Sequence, residues 1–319
     1  MKVLVTGASG FVGTALVEKL LSTGDQVRSC YRLDPSQADE RLHKVIIPSI
    51  DGSTNWNDAL EGMDSIVHSA ARVHVMSDDS IDPLAEFRRV NAEGTLNLAR
   101  QAAANGVKRL IFISSIKVSG ESTPTNFPFK PSGSANPCDP YGQSKREAEE
   151  GLRLIAQETR LEVVIVRPPL VYGLGVKANF AALARLLRLG VPLPLGSVTN
   201  NLRSFVAIEN LVDFLTVCLN HPKAANQTFM VSDGEDLSTA ELLSRMAGAI
   251  GRPSRLFPVP CSILKAGAKL LGKGPVADRL LGSLQVSIEL NHSLLGWTPP
   301  LSVDDGLRRA LNRTVVGSN

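Results

Sequence analysis

A tyrosine and a lysine four positions apart are the residues of this chain best suited to proton transfer. Tyr141 and Lys145 fall on one face of a predicted helix, about one turn apart. Asp139 and Pro140, directly before them, are typical of an N-cap and a first helical residue. A free phenol has a pKa of about 10, and a neighbouring ammonium favours its ionised form. The spacing therefore predicts a general acid/base tyrosine whose pKa is lowered by the lysine.

Two serines follow a predicted strand at residues 109–113. Ser114 and Ser115 stand where this strand ends, and open parallel sheets bind ligands at the carboxyl ends of their strands. A hydroxyl there can bond the substrate oxygen that gains or loses a proton. The alternative is that these serines only cap the strand.

Three glycines with regular spacing follow the first predicted strand, residues 3–6. Gly7, Gly10 and Gly13 form G-x-x-G-x-x-G and lead into a predicted helix. Small residues allow the backbone to approach a pyrophosphate, and the helix N-terminus offers free N–H groups and partial positive charge. The arrangement predicts a dinucleotide cofactor.

The end of the second predicted strand bears on which dinucleotide is bound. An acidic residue there commonly bonds the ribose 2′-hydroxyl of NAD, but residues 28–32 contain no acid before Asp34. Arg28 or Arg32 could instead receive a 2′-phosphate, although both could be solvated surface charges. We therefore expect NADP(H) in preference to NAD(H).

The elements that position these residues alternate between strands and helices. Strands are predicted near 3–6, 27–31, 45–47, 65–68, 109–113 and 162–166, with helices near 83–105 and 141–159 among them. This order predicts an α/β fold, a doubly wound parallel sheet of the Rossmann type, over residues 1–167. Residues 168–319, rich in proline and glycine at first, predict a smaller substrate domain of α/β type, with 203–219 returning to the first domain.

Composition limits the partners. The 319 residues include 34 basic and 31 acidic side chains, so the net charge of +3 gives no reason to expect nucleic acid. The four scattered cysteines predict neither disulfides nor a metal site. With no apolar run of membrane-spanning length, we expect a cytoplasmic protein. Residues 261–271, with Lys265 and Lys269, are interpreted as a helix covering the second domain rather than as a membrane-surface helix.

Several motifs together resemble one enzyme group, the extended short-chain dehydrogenase/reductases, which includes nucleotide-sugar epimerases, dehydratases and reductases. The resemblance covers nearly the whole chain. Its motifs are T-G-A-S-G-F-V-G at 6–13, V-H-S-A-A at 67–71, V-N-A-E-G-T at 90–95, S-S-I-K-V-S-G at 114–120, Y-G-Q-S-K at 141–145, R-P-P-L-V-Y-G at 167–173 and L-G-W-T-P at 295–299.

The resemblance implies roles for individual residues. Ser115 is the catalytic hydroxyl, Tyr141 the acid/base, and Lys145 the ribose anchor that sets the pKa of the tyrosine. The cofactor-binding set is Gly7, Ser9, Gly10, Phe11, Val12, Gly13, Arg32, Ile50, Ala70, Ala71, Asn91, Ile113, Tyr141, Lys145 and Pro168. Two departures from the family pattern are Ser49, where members often carry an adenine-binding aspartate, and Ser119, where a tyrosine is usual.

The implied substrate is a UDP-linked sugar. Besides Ser115 and Tyr141, the substrate-binding candidates are Asn179 and Arg203 for the diphosphate, Arg279 as a further diphosphate ligand, and His74. Members of the group pair helices like those near 83–105 and 141–159, so a homodimer is expected.

The reaction is narrowed by the two residues after the serines. Dehydratases of the group place an acidic pair there, whereas this chain has Ile116 and Lys117. The expected NADP(H) favours a 4-keto reductase, of the kind that completes UDP-N-acetylquinovosamine for surface polysaccharides, over a UDP-sugar 4-epimerase. The motifs also leave open a non-catalytic NADP-sensing protein and a reductase of steroid-like ketones.

Overall fold

Seven parallel strands form the central sheet of the computed structural model, which describes residues 1–34, 43–73, 82–176 and 178–312. The strands are β1 (Lys2–Thr6), β2 (Gln26–Tyr31), β3 (His43–Ile46), β4 (Ser65–His68), β5 (Arg109–Ile113), β6 (Glu162–Arg167), β7 (Leu170–Tyr172), β8 (Phe205–Ala207) and β9 (Thr228–Met230). Strands β7 and β8 form a separate parallel pair, and the others follow the order β3-β2-β1-β4-β5-β6-β9.

Helices cover both faces of this sheet. They are α1 (Phe11–Ser22), α2 (Asn57–Leu60), α3 (Pro83–Phe87), α4 (Gly94–Ala104), α5 (Pro140–Glu158), α6 (Ala178–Arg188), α7 (Ile208–Asn220), α8 (Thr239–Ile250), α9 (Cys261–Leu270), α10 (Gly274–Leu281), α11 (Glu289–Leu295) and α12 (Val303–Leu311). Alternation along β1 shows the layering: Val3 and Val5 pack in the core with α1 and α7, whereas Leu4 packs with α2, α4 and α5. The predicted Rossmann fold class is confirmed.

The strand order fixes where a ligand can bind. The chain leaves β1 in one direction across the sheet and returns to start β4 on the other side of β1, so β1 and β4 flank the switch point. Open α/β sheets bind ligands in the crevice at this point, beyond the carboxyl ends of the strands. The glycine loop after β1 and the segment after β4 therefore form its two walls.

The structure differs from the sequence-based expectation in two places. The helix predicted near 83–105 is interrupted by a π-helical segment, Arg88–Glu93, between α3 and α4. Strand β9, beyond the segment expected to return to the first domain, pairs with β6 and extends the large sheet. Helix α7, largely within that segment, packs against α1. Strand β8, within 203–219, pairs with β7 instead of joining the large sheet.

Candidate active site

The glycine loop is a cradle that a side chain would fill. Gly7 has a φ of +69°, which favours glycine, and a Cβ added there would lie 2.7 Å from the backbone nitrogen of Ala70. A Cβ on Gly13 would collide with the carbonyl of Gly7. The backbone N–H of Gly10 donates to that same carbonyl at 2.9 Å. The loop is thus held tightly against the start of α1, and its bare backbone fits a pyrophosphate.

A cavity of about 610 Å³ opens above this loop. Its lining contains ten of the residues predicted to bind the cofactor: Gly7, Ser9, Gly10, Phe11, Val12, Gly13, Arg32, Ile50, Ala70 and Ala71. Tyr31, Arg72, Val73 and Arg89 also line it, and sequence reasoning missed them. The remaining predicted cofactor residues, Asn91, Ile113, Tyr141, Lys145 and Pro168, do not line this cavity and are placed below. Direct contact with a cofactor stays a prediction for the whole set.

The two arginines of β2 and its end have different environments. Arg28 donates to His43 at 3.0 Å and to the carbonyl oxygens of Asp58 and Glu61 at 3.0 and 2.9 Å, so its guanidinium is engaged in fixing the end of α2. The prediction that Arg28 could receive a 2′-phosphate is therefore wrong. Arg32 is exposed at the rim of the cavity, where a 2′-phosphate would need it.

The chain has Ser49 where family members often carry an adenine-binding aspartate. Ser49 and Ile50 line the cavity. Asp51 turns back on its own loop, where its carboxylate accepts from the backbone N–H and hydroxyl of Ser53 at 2.9 and 2.7 Å. These hydrogen bonds lower the pKa of Asp51 to about 2.

A buried chain of hydrogen bonds holds the wall after β4. Thr95 donates its hydroxyl to the carbonyl of Asn91 at 2.7 Å, and it accepts from Nε2 of His68 at 3.0 Å. The other ring nitrogen then accepts from the hydroxyl of Thr6 at 2.7 Å, and that oxygen accepts from the N–H of Ala70 at 3.3 Å. Burial lowers the pKa of His68 to about 3, which keeps the imidazole neutral as this pattern requires.

Asn91 lies at the centre of the π-helical segment, behind the cavity. Its side chain accepts from the backbone N–H of Arg72 at 2.8 Å and donates to the hydroxyl of Ser144 at 3.1 Å. Ser144 in turn donates to the carbonyl of Tyr141 at 2.8 Å. Asn91 thus links the cavity wall to α5, the helix that carries Tyr141. Its π-helical turn is of a kind that is frequent at functional sites.

Tyr141 and Ser115 form the predicted catalytic pair. The side chain of Asp139 caps α5 by accepting from the N–H of Gly142, which sets the first turn that carries Tyr141. The Ser115 hydroxyl lies close enough to the phenol of Tyr141 to favour its ionised form. Burial raises the pKa of Tyr141 to about 12, and the Ser115 hydroxyl opposes that rise.

Lys145 is buried one turn further along α5. Its ammonium donates to the carbonyl of Ile113 at 2.9 Å and lies 4.4 Å from the centre of the Phe112 ring. Burial lowers the pKa of Lys145 to about 7. Burial of the phenol dominates in this structure, so the pKa of Tyr141 is raised where the sequence predicted a lowered value, while the Lys145 ammonium faces the end of β5. Pro168, also buried, accepts from the N–H of Ile116 at 3.0 Å at the same edge of the sheet.

The lowered pKa of Lys145 makes folding depend on pH in a defined direction. Below about pH 7 the ammonium is charged in both states, and the native state bears the full cost of burying it. Between pH 7 and about 10.5 the unfolded chain binds more protons, so stability rises with pH and the cost disappears above that range. We expect Lys145→Met to stabilise the fold at pH 7 and to lose this advantage by pH 10.

Urea denaturation of the Lys145→Met protein and the unchanged protein across this pH range measures the effect. Lys108→Met is the matched control, because Lys108 is exposed. A constant difference in unfolding free energy between Lys145→Met and the unchanged chain would contradict the assignment.

The first of the two serines has a separate task. Ser114 donates to the carboxylate of buried Glu149 at 2.6 Å. Arg167 donates to the same carboxylate from Nε and Nη2, at 2.8 and 2.6 Å. Arg167 also donates to the hydroxyl of Ser119 at 3.2 Å. This cluster ties the ends of β5 and β6 to α5, and it gives Ser119, the departure from the family pattern, a buried partner.

Charged groups continue from the tyrosine towards the second domain. Lys117 contacts Asp139 and lies 3.0 Å from Glu121. Burial lowers the pKa of Arg203, the charge of Arg279 lowers it further, and the charge of Glu121 raises it. Guanidinium groups bind phosphate well, so the diphosphate contact of Arg203 and Arg279 stays a prediction.

Backbone pairing fixes the position of Arg203. Its N–H and carbonyl pair with Leu237, and its guanidinium donates to the carbonyl of Gly282 at 3.2 Å. Asn179 lies in the first turn of α6, but its side chain is not among those described. His74 lies outside the described residues. Their predicted substrate contacts, like those of the two arginines, remain predictions.

Comparison with known proteins places the chain in a family. A sequence model described as "NAD dependent epimerase/dehydratase family" matches residues 3–232. The chain belongs to this family. The match ends at residue 232, just after β9, the last strand of the large sheet. Family membership makes the chain an enzyme. The catalytic roles predicted for Ser115, Tyr141 and Lys145 stay predictions.

Three relatives illustrate the range. UDP-glucose 4-epimerase of Vibrio cholerae is 48% identical over 318 residues, covering 99% of this chain and 96% of the relative. N-acetyl-alpha-D-glucosaminyl-diphospho-ditrans,octacis-undecaprenol 4-epimerase of Escherichia coli O157:H7 is 28% identical, covering 98% of this chain and 95% of that one. The NAD complex of UDP-glucuronic acid 4-epimerase from Bacillus cereus has a TM-score of 0.77 at 20% identity, covering 98% and 95% of the two chains.

The sequence analysis missed several residues whose hydrogen bonds hold the candidate active site in place. The His68 hydrogen-bond chain and the Glu149 cluster had a readable signal, because charged or polar residues interrupt otherwise buried elements there. Arg167, which ends the apolar strand β6, is one example. The cavity residues Arg72 and Arg89 carried no such signal, because an arginine on a loop or helix is most often a solvated charge.

Proposed function

We propose that this enzyme is a 4-epimerase of a UDP-linked hexose or N-acetylhexosamine. The observation that carries the proposal is the 48% identity, over almost the full length of both chains, to a UDP-glucose 4-epimerase. The second relative's name also specifies a 4-epimerase acting on a diphosphate-linked sugar. The Ser115–Tyr141 pair and the Arg203–Arg279 pair provide the two chemical functions such a substrate needs.

The proposed reaction assigns each proton and contact to a residue of this chain. The chemistry that a bound nicotinamide supplies is the acceptance of a hydride from C4 and its return to the opposite face of the keto sugar. Tyr141 takes the proton from the C4 hydroxyl and gives it back, while Ser115 bonds the same oxygen. Arg203 and Arg279 hold the diphosphate. The keto sugar can then rotate in the site while the UDP moiety stays bound.

The residues after Ser115 disfavour a dehydration. Ile116 is buried, and Lys117 is occupied by Asp139 and Glu121. Although burial disfavours its charge, these two carboxylates raise the pKa of Lys117, which keeps it an ammonium. Neither residue can remove a proton beside a ketone, as a 4,6-dehydratase requires.

A second candidate is the 4-keto reductase suggested by the sequence. The observation in its favour is Arg32, which is exposed on the rim of the cavity without a carboxylate at the end of β2. A net reductase consumes one reduced cofactor per turnover, and a site for the 2′-phosphate suits NADPH. The known structures similar to this chain include NAD complexes. The preference for NADP(H) is therefore proposed only as part of the reductase candidate.

Arg32→Ala tests the cofactor preference. A charge-assisted hydrogen bond to phosphate contributes about 1.5–3 kcal/mol, so we expect NADPH affinity to fall roughly tenfold to hundredfold. NADH has no 2′-phosphate, so its affinity should change less than about twofold. Fluorescence titration with both cofactors measures this. An equal change for both would show that Arg32 does not select between them.

One paired assay separates the two reactions. The purified enzyme receives UDP-N-acetylglucosamine or UDP-glucose with trace NAD, and separately a UDP-4-keto-6-deoxy-N-acetylhexosamine with NADPH. Formation of the C4 isomer without net change in cofactor absorbance supports the epimerase. Stoichiometric loss of NADPH with the keto sugar, and no isomerisation, would overturn the epimerase in favour of the reductase.

A further inference from the structure

Two short helices of the second domain present apolar side chains to solvent. We call residues 261–281, which comprise α9, α10 and their connection, the apolar hairpin. Leu270 and Leu271 at its tip are 89% and 76% exposed, and Ile263 is 60% exposed. No residue of α9 is buried. Such a concentration of exposed large apolar groups marks an interaction surface.

The exposed groups of α9 are ordered around the helix. Ile263, Ala266 and Leu270 are spaced three and four residues apart, so they form one stripe. Lys265 and Lys269, also four apart, form the adjacent stripe. The partly buried Leu264 packs on the core of the second domain, so α9 covers that domain, as predicted, with only one face. An apolar stripe beside a lysine stripe is typical of a helix lying in a membrane interface.

The charge of the apolar hairpin distinguishes between the partners that could cover it. Lys265, Lys269, Lys273 and Arg279 are exposed cations, whereas Asp278 is its one acidic residue. A second copy of this chain, docked through the same surface, would bring cations against cations, which disfavours a symmetric dimer here. An anionic lipid surface complements both the charge and the exposed leucines.

We propose that the apolar hairpin docks on the surface of a bilayer that contains anionic phospholipids. A groove of about 340 Å³ between the two helices, lined by Leu195, Ile263, Leu264, Leu271, Leu280 and others, offers further apolar contact. None of the helices in the described part of the chain is long and apolar enough to span a membrane, so the contact is peripheral. This departs from the expectation that the protein has no membrane partner.

Docking would also orient the enzyme. Arg203, proposed to hold a diphosphate with Arg279, donates to the carbonyl of Gly282 directly after α10 at 3.2 Å. The hairpin therefore brings the diphosphate end of the site towards the bilayer. The lipid contact itself rests on the exposed residues alone, and it can hold whether or not the proposed reaction does.

Vesicle co-sedimentation of the full chain tests the docking. We expect binding to vesicles of phosphatidylglycerol and phosphatidylcholine, and little binding to pure phosphatidylcholine. Lys265, Lys269 and Lys273 changed together to Gln should lower the partition coefficient roughly a hundredfold, at about tenfold or less per charge. Leu270→Gln with Leu271→Gln should lower it by at least roughly tenfold, because insertion of the side chains is lost.

Matched variants separate docking from general adsorption. Changing Lys44, Lys108 and Lys223 together to Gln removes the same charge from exposed positions outside the hairpin, and Leu33→Gln changes an 83% exposed leucine elsewhere. Both controls should retain more than half of the binding. Binding that survives the leucine change, or that falls equally in the controls, would overturn the proposal. So would sedimentation velocity showing that the two leucines hold a dimer together.

Discussion

Replacement of Tyr141 by phenylalanine is expected to lower kcat by roughly 10²- to 10⁴-fold while the dinucleotide still binds. The substitution removes only the hydroxyl, which lies near Ser115 and which we propose exchanges the proton of the sugar oxygen. The ring keeps its edge-to-face contact with Phe87, whose centre is 6.1 Å away, so the backbone of α5 has no reason to move. Turnover is measured by isomer formation, and cofactor binding by fluorescence titration.

Ser115→Ala extends this test. The Ser115 hydroxyl opposes the rise in the pKa of Tyr141, so its loss should move the pKa of the phenol still higher. The rising limb of the pH–rate profile should then shift to higher pH. A Tyr141→Phe enzyme within about threefold of the original rate would remove the phenol from the mechanism, whatever Ser115→Ala does.

Glu149→Gln is expected to lower the free energy of unfolding by about 3–5 kcal/mol. Breaking a buried pair leaves an uncompensated charge, and here Arg167 is nearly inaccessible while Glu149 is fully buried. Burial by itself disfavours the carboxylate, but hydrogen bonds from Arg167 and Ser114 outweigh it and lower the pKa of Glu149. Equilibrium urea denaturation measures the loss.

The neighbouring residue provides the control. Glu150 pairs with Arg146 at 2.7 Å, four positions apart, but both side chains are largely exposed. Glu150→Gln should therefore change the unfolding free energy by less than about 1 kcal/mol. Equal losses in the two variants would mean that the Glu149 cluster does not hold the strand ends together.

The fold could be predicted, and the candidate catalytic residues could be located, because local sequence patterns express them directly. The glycine spacing after β1 follows from the lack of room for a Cβ at Gly7 and Gly13. The four-residue interval between Tyr141 and Lys145 follows from the helical turn that α5 provides. In each case one element carries the whole signal, so no knowledge of distant contacts is needed.

The rest depended on contacts between distant segments. Arg28 and Arg32 are four positions apart and equally basic, yet only the packing of α2 against β2 shows that Arg28 is engaged. The π-helical segment around Asn91 has no pattern in the sequence that distinguishes it from an ordinary helix. Strand β9 is short, with Thr228–Met230 joining the sheet far along the chain, and its pairing with β6 cannot be read from three residues.

The raised pKa of Tyr141 could not be predicted for a related reason. Four-residue spacing places Tyr141 and Lys145 on one face of a helix, but it does not say where the ammonium points. The carbonyl of Ile113 holds that ammonium at 2.9 Å, and burial then sets both pKa values. Electrostatic influence depends on this tertiary geometry, which spacing alone does not contain.

Retention of a deuterium label tests the central claim most directly. A UDP-hexose that carries deuterium at C4 is incubated with the enzyme and catalytic NAD in unlabelled water, and the product is analysed by mass spectrometry and NMR. We expect the C4 epimer to retain the label at C4, because the hydride taken from the sugar is returned before release. A product that has lost the deuterium to water, or the absence of any epimer, would contradict hydride transfer at C4 by this site.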